Sequence, residues 1–156
     1  MKITRIAVSI IICQLAGVVG SVFTITAIFG WYASLIKPPF SPPNWLFGSV
    51  WLTLYTLMGL ALALVWAKGI GDKKVKQAVV LFGAQLFLNV LWSILFFGLH
   101  LTFLAFFEIL LMLGFIALTT LSFYRIERRA AYLMLPYLAW VSFASVLNFS
   151  IWLLNR

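Results

Sequence analysis

Residues 31–45 read WYASLIKPPFSPPNW and hold four of the chain's five prolines. Long apolar runs flank this stretch on both sides. Proline fixes φ and lacks a backbone N–H, so a continuous helix cannot cross lipid here, because unpaired backbone groups are costly in hydrocarbon. We therefore predict two membrane spans joined by an ordered surface loop that acts as a lid. The loop's aromatic residues indicate a binding site rather than a simple connector.

The composition supports a membrane location for the whole chain. Of its 156 residues, 65% are hydrophobic and 9% are charged, and the mean hydropathy is +1.13. Such values are typical of integral membrane proteins, and the length suits about five spans of roughly 20 residues. We predict an all-α five-transmembrane-helix bundle forming a single domain over residues 1–156. Its expected spans are residues 6–29, 44–67, 77–99, 101–124 and 130–154, the first being a retained span rather than a cleaved signal peptide.

The basic residues predict an orientation. The net charge is +8, and nine of the eleven lysines and arginines fall on one side of a five-span arrangement. These nine are Lys2, Arg5, Lys68, Lys73, Lys74, Lys76, Arg125, Arg128 and Arg129, while Lys37 and Arg156 fall on the other side. This positive-inside pattern predicts a cytoplasmic N-terminus and an outward C-terminus, in a bacterial cytoplasmic membrane. The cations are interpreted as topology signals and contacts for anionic lipid, and nucleic acid is not an expected partner.

Three of the runs carry aromatic and polar residues at helical spacing. The sets are Gln85, Asn89, Trp92 and Phe96; Trp140, Ala144, Ser145 and Asn148; and Trp51, Tyr55 and Met58. Steps of three and four put most members of each set on one helix face. Two interpretations stay open, a shared pocket or an interfacial aromatic belt with amides bonding neighbouring helices. Trp51 and Trp140 favour the pocket, because both lie inside their runs on the side of the proline-rich loop.

Other reactive or polar residues say less about function. Glu108 is an acid expected within a span, where a protonated, hydrogen-bonded role and a proton or substrate role are both open. Cys13, Gly17 and Ser21 form a ridge of small residues suited to close helix packing. His100 has no Cys, His or acidic partner at metal-ligand spacing, so no metal site is predicted. No nucleophile elbow or phosphate-binding glycine loop occurs either.

Together these residues resemble one known family. The matching positions are Trp31-Tyr32, Lys37-Pro38, Pro42-Pro43, Trp51, Gln85 to Trp92, Ser93, Phe96-Phe97-Gly98, Pro136-Tyr137, Trp140, Phe143-Ala144 and Leu147-Asn148. The pattern is similar to the TspO/MBR family of tryptophan-rich sensory and translocator proteins. That resemblance implies a bundle, usually dimeric, whose first loop covers a pocket for porphyrins such as protoporphyrin IX, sterols and benzodiazepine-site ligands.

The resemblance also implies site residues. Trp51 and Trp140 match two pocket tryptophans implicated in light-dependent porphyrin breakdown, and Glu108 falls where other members carry an acid. Asn89, on the inward face of its run, completes the expected ligand-binding set. That set is Tyr32, Pro42, Trp51, Tyr55, Asn89, Trp92, Phe96, Trp140, Ala144 and Ser145. Animal members carry a cholesterol pattern with a central tyrosine where this chain has Phe149, which favours a tetrapyrrole over cholesterol.

Three classes of function remain open at this point. The first is binding of tetrapyrroles with a sensory, regulatory or transport role, and this is the prediction. The second is a light- and oxygen-dependent enzyme that degrades porphyrin, with Trp51 and Trp140 as catalytic residues. The third is a ligand-regulated interaction protein or a sterol or lipid translocator. No covalently bound cofactor is expected, so porphyrin is a ligand or a substrate. A homodimer and membrane lipid are the other expected partners.

Overall fold

Five long helices and one short helix make up the computed structural model, which describes residues 3–156. The helices are α1, Ile3–Ile28; α2, Trp31–Ser34; α3, Asn44–Trp66; α4, Lys73–Ser93; α5, Thr102–Ile126; and α6, Arg128–Leu154. A π-helical turn over Ile94–Gly98 extends α4. All the long helices are long and apolar enough to cross a membrane, so the predicted five-span, multi-pass membrane fold is confirmed. Lys2, one of the nine cations of the positive-inside pattern, lies outside the described residues.

The helix ends differ from the predicted spans by a few residues. Helix α4, the third long helix, begins at Lys73 rather than at residue 77, because the Asp72 carboxylate accepts a hydrogen bond from the Lys74 backbone N–H at 2.7 Å. An aspartate cap of this kind starts a helix inside a charged stretch that hydropathy alone excludes. The last helix likewise begins at Arg128, two residues before the predicted span.

The two ends of the bundle differ in charge. At one end, Lys68 after α3 pairs with Glu127 between α5 and α6, with 2.7 Å between the ammonium nitrogen and the carboxylate oxygen. The hydrogen bond from Lys68 lowers the pKa of Glu127. We call this the basic end, because the described residues Arg5, Lys68, Lys73, Lys74, Lys76, Arg125, Arg128 and Arg129 lie in the helix ends and connections that meet there. The opposite end carries the proline-rich connection and is called the loop end.

Helix α1 lies at the edge of the bundle. Only 17% of the most apolar stretch of α1 is buried inside the protein, against 44% of the corresponding stretch of α3. Its contact with α3 is nevertheless close, because a Cβ placed on Gly59 would lie 2.6 Å from the Ile10 Cα. This approach of two backbones at a small residue is typical of membrane helix packing. Toward the loop end the same two helices form opposite sides of a cavity.

Candidate ligand-binding site

A cavity of about 430 Å³ lies in the loop-end half of the bundle, between α1, α3, α4 and α6. Eight aromatic side chains contribute to its wall, namely Phe29, Trp45, Phe47, Trp51, Tyr55, Trp92, Phe97 and Trp140. Trp51 stacks on Tyr55 with ring centroids 5.3 Å apart, and Trp140 meets the edge of Phe47 at 6.1 Å. These contacts give the rings fixed orientations around one space. The structure therefore brings together Trp51, Tyr55, Trp92, Trp140 and Ala144 from the sequence-predicted set.

Hydrogen bonds between four helices hold the wall at Tyr55. The Tyr55 hydroxyl on α3 donates to Asn89 Oδ1 on α4, and Asn89 Nδ2 donates to the Tyr137 hydroxyl on α6 at 3.2 Å. Tyr137 in turn donates to the Met112 sulfur on α5 at 3.8 Å. Buried polar groups need such partners, and in lipid no water replaces them. The Tyr55 ring consequently has little freedom to turn away from the cavity.

A second set of hydrogen bonds fixes Trp92. Its indole N–H donates to Asn148 Oδ1 at 3.0 Å, and Asn148 Nδ2 donates to the Thr102 carbonyl at 2.8 Å. The predicted interhelical bonding of Asn89 and Asn148 is therefore confirmed. Because the indole nitrogen is occupied, Trp92 offers the cavity an aromatic ring without a free donor.

Part of the wall on α1 is made of small and polar residues. Gly17, Gly20, Ser21 and Thr24 line the cavity there. The ridge of small residues was predicted to serve helix packing, and Gly17 does so, since a Cβ there would lie 2.5 Å from Tyr55 Cε2. Sequence reasoning missed that the same ridge also lines a cavity. The helical spacing of Gly17, Gly20, Ser21 and Thr24 could have indicated this cavity wall, because it puts small side chains on one face of α1.

The cavity opens sideways between α1 and α3. Five of its lining residues are mostly exposed: Val18 at 58%, Ile25 at 64%, Phe29 at 82%, Leu52 at 63% and Trp45 at 73%. In a protein that spans a membrane, apolar residues exposed at this depth face lipid. An apolar molecule dissolved in the bilayer thus has a direct path to the aromatic wall.

Five residues of the predicted set do not lie on the cavity wall: Tyr32, Pro42, Asn89, Phe96 and Ser145. Both ends of the Asn89 amide are already hydrogen-bonded, Oδ1 to Tyr55 and Nδ2 to Tyr137. Ser145 is buried and donates to the Val141 carbonyl of its own helix at 2.8 Å. Pro42 stays in the connection between α2 and α3.

Phe96 was expected on the wall because it follows Trp92 by four residues. The π-helical turn changes this spacing, since the Leu99 N–H donates to the Ile94 carbonyl five residues back at 2.8 Å. Phe97 therefore lines the cavity and Phe96 packs behind it, with the two ring centroids 4.9 Å apart. Tyr32 is also one layer removed, because its ring packs against Phe47 and Phe97.

The proline-rich connection, residues 29–43, is ordered and is called the first loop. The Asn155 side chain at the end of α6 holds it through two hydrogen bonds of 2.9 Å, one from the Ile36 N–H and one to the Ile36 carbonyl. Trp31 stacks on His100 with centroids 4.0 Å apart. Lys37 lies over the Tyr32 ring, 4.8 Å from its centroid. The loop closes the end of the bundle and supports the wall from behind.

Glu108 lies apart from the cavity. It sits about two turns into α5, is buried, and makes no hydrogen bond to any residue in 3–156. Gln85 on α4 is buried without a partner in the same range. In that range no three His, Cys, Asp or Glu side chains are grouped so as to hold a metal ion. The proton or polar role of Glu108 stays a prediction.

These features define a multi-pass helical membrane protein with an aromatic cavity inside its bundle. The profile of the TspO/MBR family matches residues 9–153, and the chain belongs to this family. It is 44% identical to Tryptophan-rich protein TspO of Chlorobaculum tepidum over 154 residues, 99% of this chain and 98% of the relative. It is 40% identical to the Translocator protein of Bos taurus over 92% of this chain and 85% of the relative. It is also 37% identical to the Tryptophan-rich sensory protein of Cereibacter sphaeroides over 80% of this chain and 77% of the relative.

Proposed function

We propose that this protein binds a tetrapyrrole, protoporphyrin IX or a close relative, in the aromatic cavity and uses that binding for a sensory, regulatory or transport role. The observation that carries the proposal is the group of eight aromatic side chains around a space of about 430 Å³. Cavities of roughly 300–1,000 Å³ with apolar walls and few polar groups are typical small-molecule sites. The word "sensory" in the name of one relative supports the sensory part of the role.

A flat macrocycle suits this wall for a physical reason. Offset or edge-to-face contacts between aromatic rings contribute about 0.5–1.5 kcal/mol each beyond the burial of area. Trp51 and Trp140 come from different helices, and the hydrogen-bonded Tyr55 and Trp92 have fixed orientations. A ligand therefore meets a wall that is already ordered, which reduces the entropy lost on binding.

The carboxylates of a porphyrin need polar partners at the cavity. The Ser93 hydroxyl and the Asn44 amide line the wall and are two of its few polar groups. We assign them, rather than the Lys37 ammonium, to the carboxylates. Lys37 is held over the Tyr32 ring and donates to the Ala33 carbonyl at 3.4 Å.

The orientation and assembly belong to the same proposal. The basic end faces the cytoplasm under the positive-inside rule, which puts the cavity and the first loop in the outer half of a bacterial cytoplasmic membrane. A homodimer is the expected assembly.

The test is a titration with protoporphyrin IX, followed by the ligand's own absorbance so that the readout does not depend on the number of tryptophans. The cavity variant is Trp51→Phe with Trp140→Phe. The matched control is Trp66→Phe with Trp152→Phe, two tryptophans outside the cavity wall. We expect the cavity variant to raise Kd about tenfold, because two ring contacts are weakened, and the control to change it less than about twofold. Equal Kd values for the two variants would contradict the placement.

A second candidate function is light-dependent oxidation of the bound porphyrin. One observation favours it: Trp51 stacks on Tyr55 and meets the edge of Tyr137 at 6.2 Å, so three oxidisable rings are in contact beside the cavity. Illumination of the purified complex in air should then change the porphyrin spectrum in a protein-dependent way. If Trp51→Phe converts bound porphyrin as fast as the unaltered protein does, this candidate is wrong.

A further inference from the structure

A second cavity, of about 840 Å³, lies at the basic end between the beginning of α4 and the end of α5. Four cations contribute to its wall, Lys73, Lys74 and Lys76 from α4 and Arg125 from α5. None of the residues lining this cavity is acidic. It is separate from the aromatic cavity, which lies at the other end of the bundle and shares no lining residue with it.

The charge of this cavity is not compensated inside the described chain. Within residues 3–156 the only ion pair joins Lys68 to Glu127, and neither of these lines the cavity. The nearest acid along the chain, Asp72, uses its carboxylate to cap α4 at the Lys74 N–H. Four cations around one concave surface repel one another, so a bound anion would relieve that repulsion.

The rest of the wall is apolar and faces the bilayer. Val80 and Leu81, which follow the lysines along α4, line the cavity on the side toward the middle of the membrane, and Val80 is 64% exposed. On α4, Gln77 lies between the lysines and these apolar residues in sequence; on α5, Ser122 precedes Arg125 and so lies nearer the middle of the membrane than that cation. The cavity thus offers cations, then hydrogen-bonding groups, then apolar surface along one direction.

We propose that this cavity binds the phosphate head group of an anionic glycerophospholipid, with its acyl chains along the α4–α5 seam. The lysines and Arg125 contact the phosphate, and Gln77 and Ser122 contact the glycerol and ester oxygens. Basic pockets between membrane helices suit anionic head groups in this way. A free phosphate ion would use the cations alone and would leave the apolar wall uncovered, so the lipid is the occupant that the whole surface fits.

The experiment compares lipid binding by full-length protein variants in detergent. Delipidated protein is titrated with dioleoylphosphatidylglycerol, with dioleoylphosphatidylcholine or with inorganic phosphate, and the lipid adducts are counted by native mass spectrometry. Both triple variants remove three cations of the basic end. They are K73Q/K76Q/R125Q in the cavity and R5Q/R128Q/R129Q outside it.

We expect the unaltered protein to bind phosphatidylglycerol in preference to phosphatidylcholine. The cavity triple variant should weaken that binding at least about tenfold, since each cation near a head group contributes about fivefold, and the control triple should change it less than about threefold. Equal losses in the two triples would overturn the proposal, because the attraction would then be diffuse. So would inorganic phosphate that displaces the lipid at equal concentration.

A second variant keeps the proposal testable if the triple variant does not fold. Ser122→Asp places one negative charge inside the cavity and leaves every cation in place. We expect it to weaken phosphatidylglycerol binding about fivefold while phosphatidylcholine binding stays the same. Unchanged phosphatidylglycerol binding by this variant would also overturn the proposal.

Discussion

Replacing Gly17 with alanine should destabilise the bundle through a single clash. The new Cβ would lie 2.5 Å from Tyr55 Cε2 and 2.7 Å from Cδ2, well inside van der Waals contact. The Tyr55 ring cannot simply turn away, because its hydroxyl donates to Asn89, which is also bonded to Tyr137. Overpacking of this kind costs about 1–3 kcal/mol, so we expect the free energy of unfolding to fall by about that amount.

The assay is unfolding in mixed micelles by sodium dodecyl sulfate, followed by circular dichroism. Gly114→Ala is the matched control, since nothing lies within 4 Å of a Cβ at that position of α5. That change should be neutral or slightly stabilising, because alanine favours a helix over glycine by roughly 1 kcal/mol. A Gly17→Ala protein as stable as the Gly114→Ala protein would refute the reasoning.

A double-mutant cycle tests the role of the hydrogen bond. In a Tyr55→Phe background the ring no longer holds the Asn89 amide and can tilt, so Gly17→Ala should cost less there, by about 0.5–1.5 kcal/mol. If the two changes are strictly additive, the hydrogen bond does not fix the ring, and α1 rather than Tyr55 yields to the new methyl group.

Three further predictions concern the first loop, the basic end and the cavity. Asn155→Ala removes two hydrogen bonds of 2.9 Å to Ile36, so amide exchange in the first loop should rise about tenfold in hydrogen-exchange mass spectrometry. Unchanged exchange would show that Asn155 does not hold the loop. Lys68 lowers the pKa of Glu127 below its ordinary value of 4.5, so the ion pair contributes its full stability above pH 4.5 and loses it as the pH falls through the lower pKa of the folded protein. Glu127→Gln should remove this pH dependence from a plot of melting temperature against pH, and an unchanged plot contradicts the role of the pair. Ala144→Phe fills part of the cavity and should raise the Kd for protoporphyrin IX at least about tenfold, whereas Ala139→Phe on the exposed side of α6 should not; equal effects contradict the site.

The bundle could be predicted from the sequence because lipid imposes one strong rule. A chain this apolar must satisfy its backbone within helices, and the breaks at residues 31–45, 68–76 and 125–129 are marked by proline, glycine or charge. Helix ends were less predictable. Asp72 caps α4 in the middle of a charged stretch, and that contact depends on a local geometry that hydropathy does not report.

The site was predictable where helical spacing holds and not where it changes. Trp51 and Tyr55, and likewise Trp140 and Ala144, follow steps of four in regular helices, and both pairs line the cavity. Phe96 is displaced by a π-helical turn that no residue pattern marked.

The wall on α1 was missed for a different reason. A row of small residues such as Gly20 looks the same in sequence whether it packs against a neighbouring helix or lines a cavity. Only the placement of α3 at the loop end decides between these outcomes, and that placement is a property of the whole bundle.

The most direct test of the account is a structure of the protein with bound protoporphyrin IX. The account predicts a macrocycle between α1 and α3, in van der Waals contact with Trp51 and Trp140, with its carboxylates near Ser93 or Asn44. A macrocycle bound elsewhere on the bundle, with the cavity empty and its aromatic side chains unmoved, would contradict it.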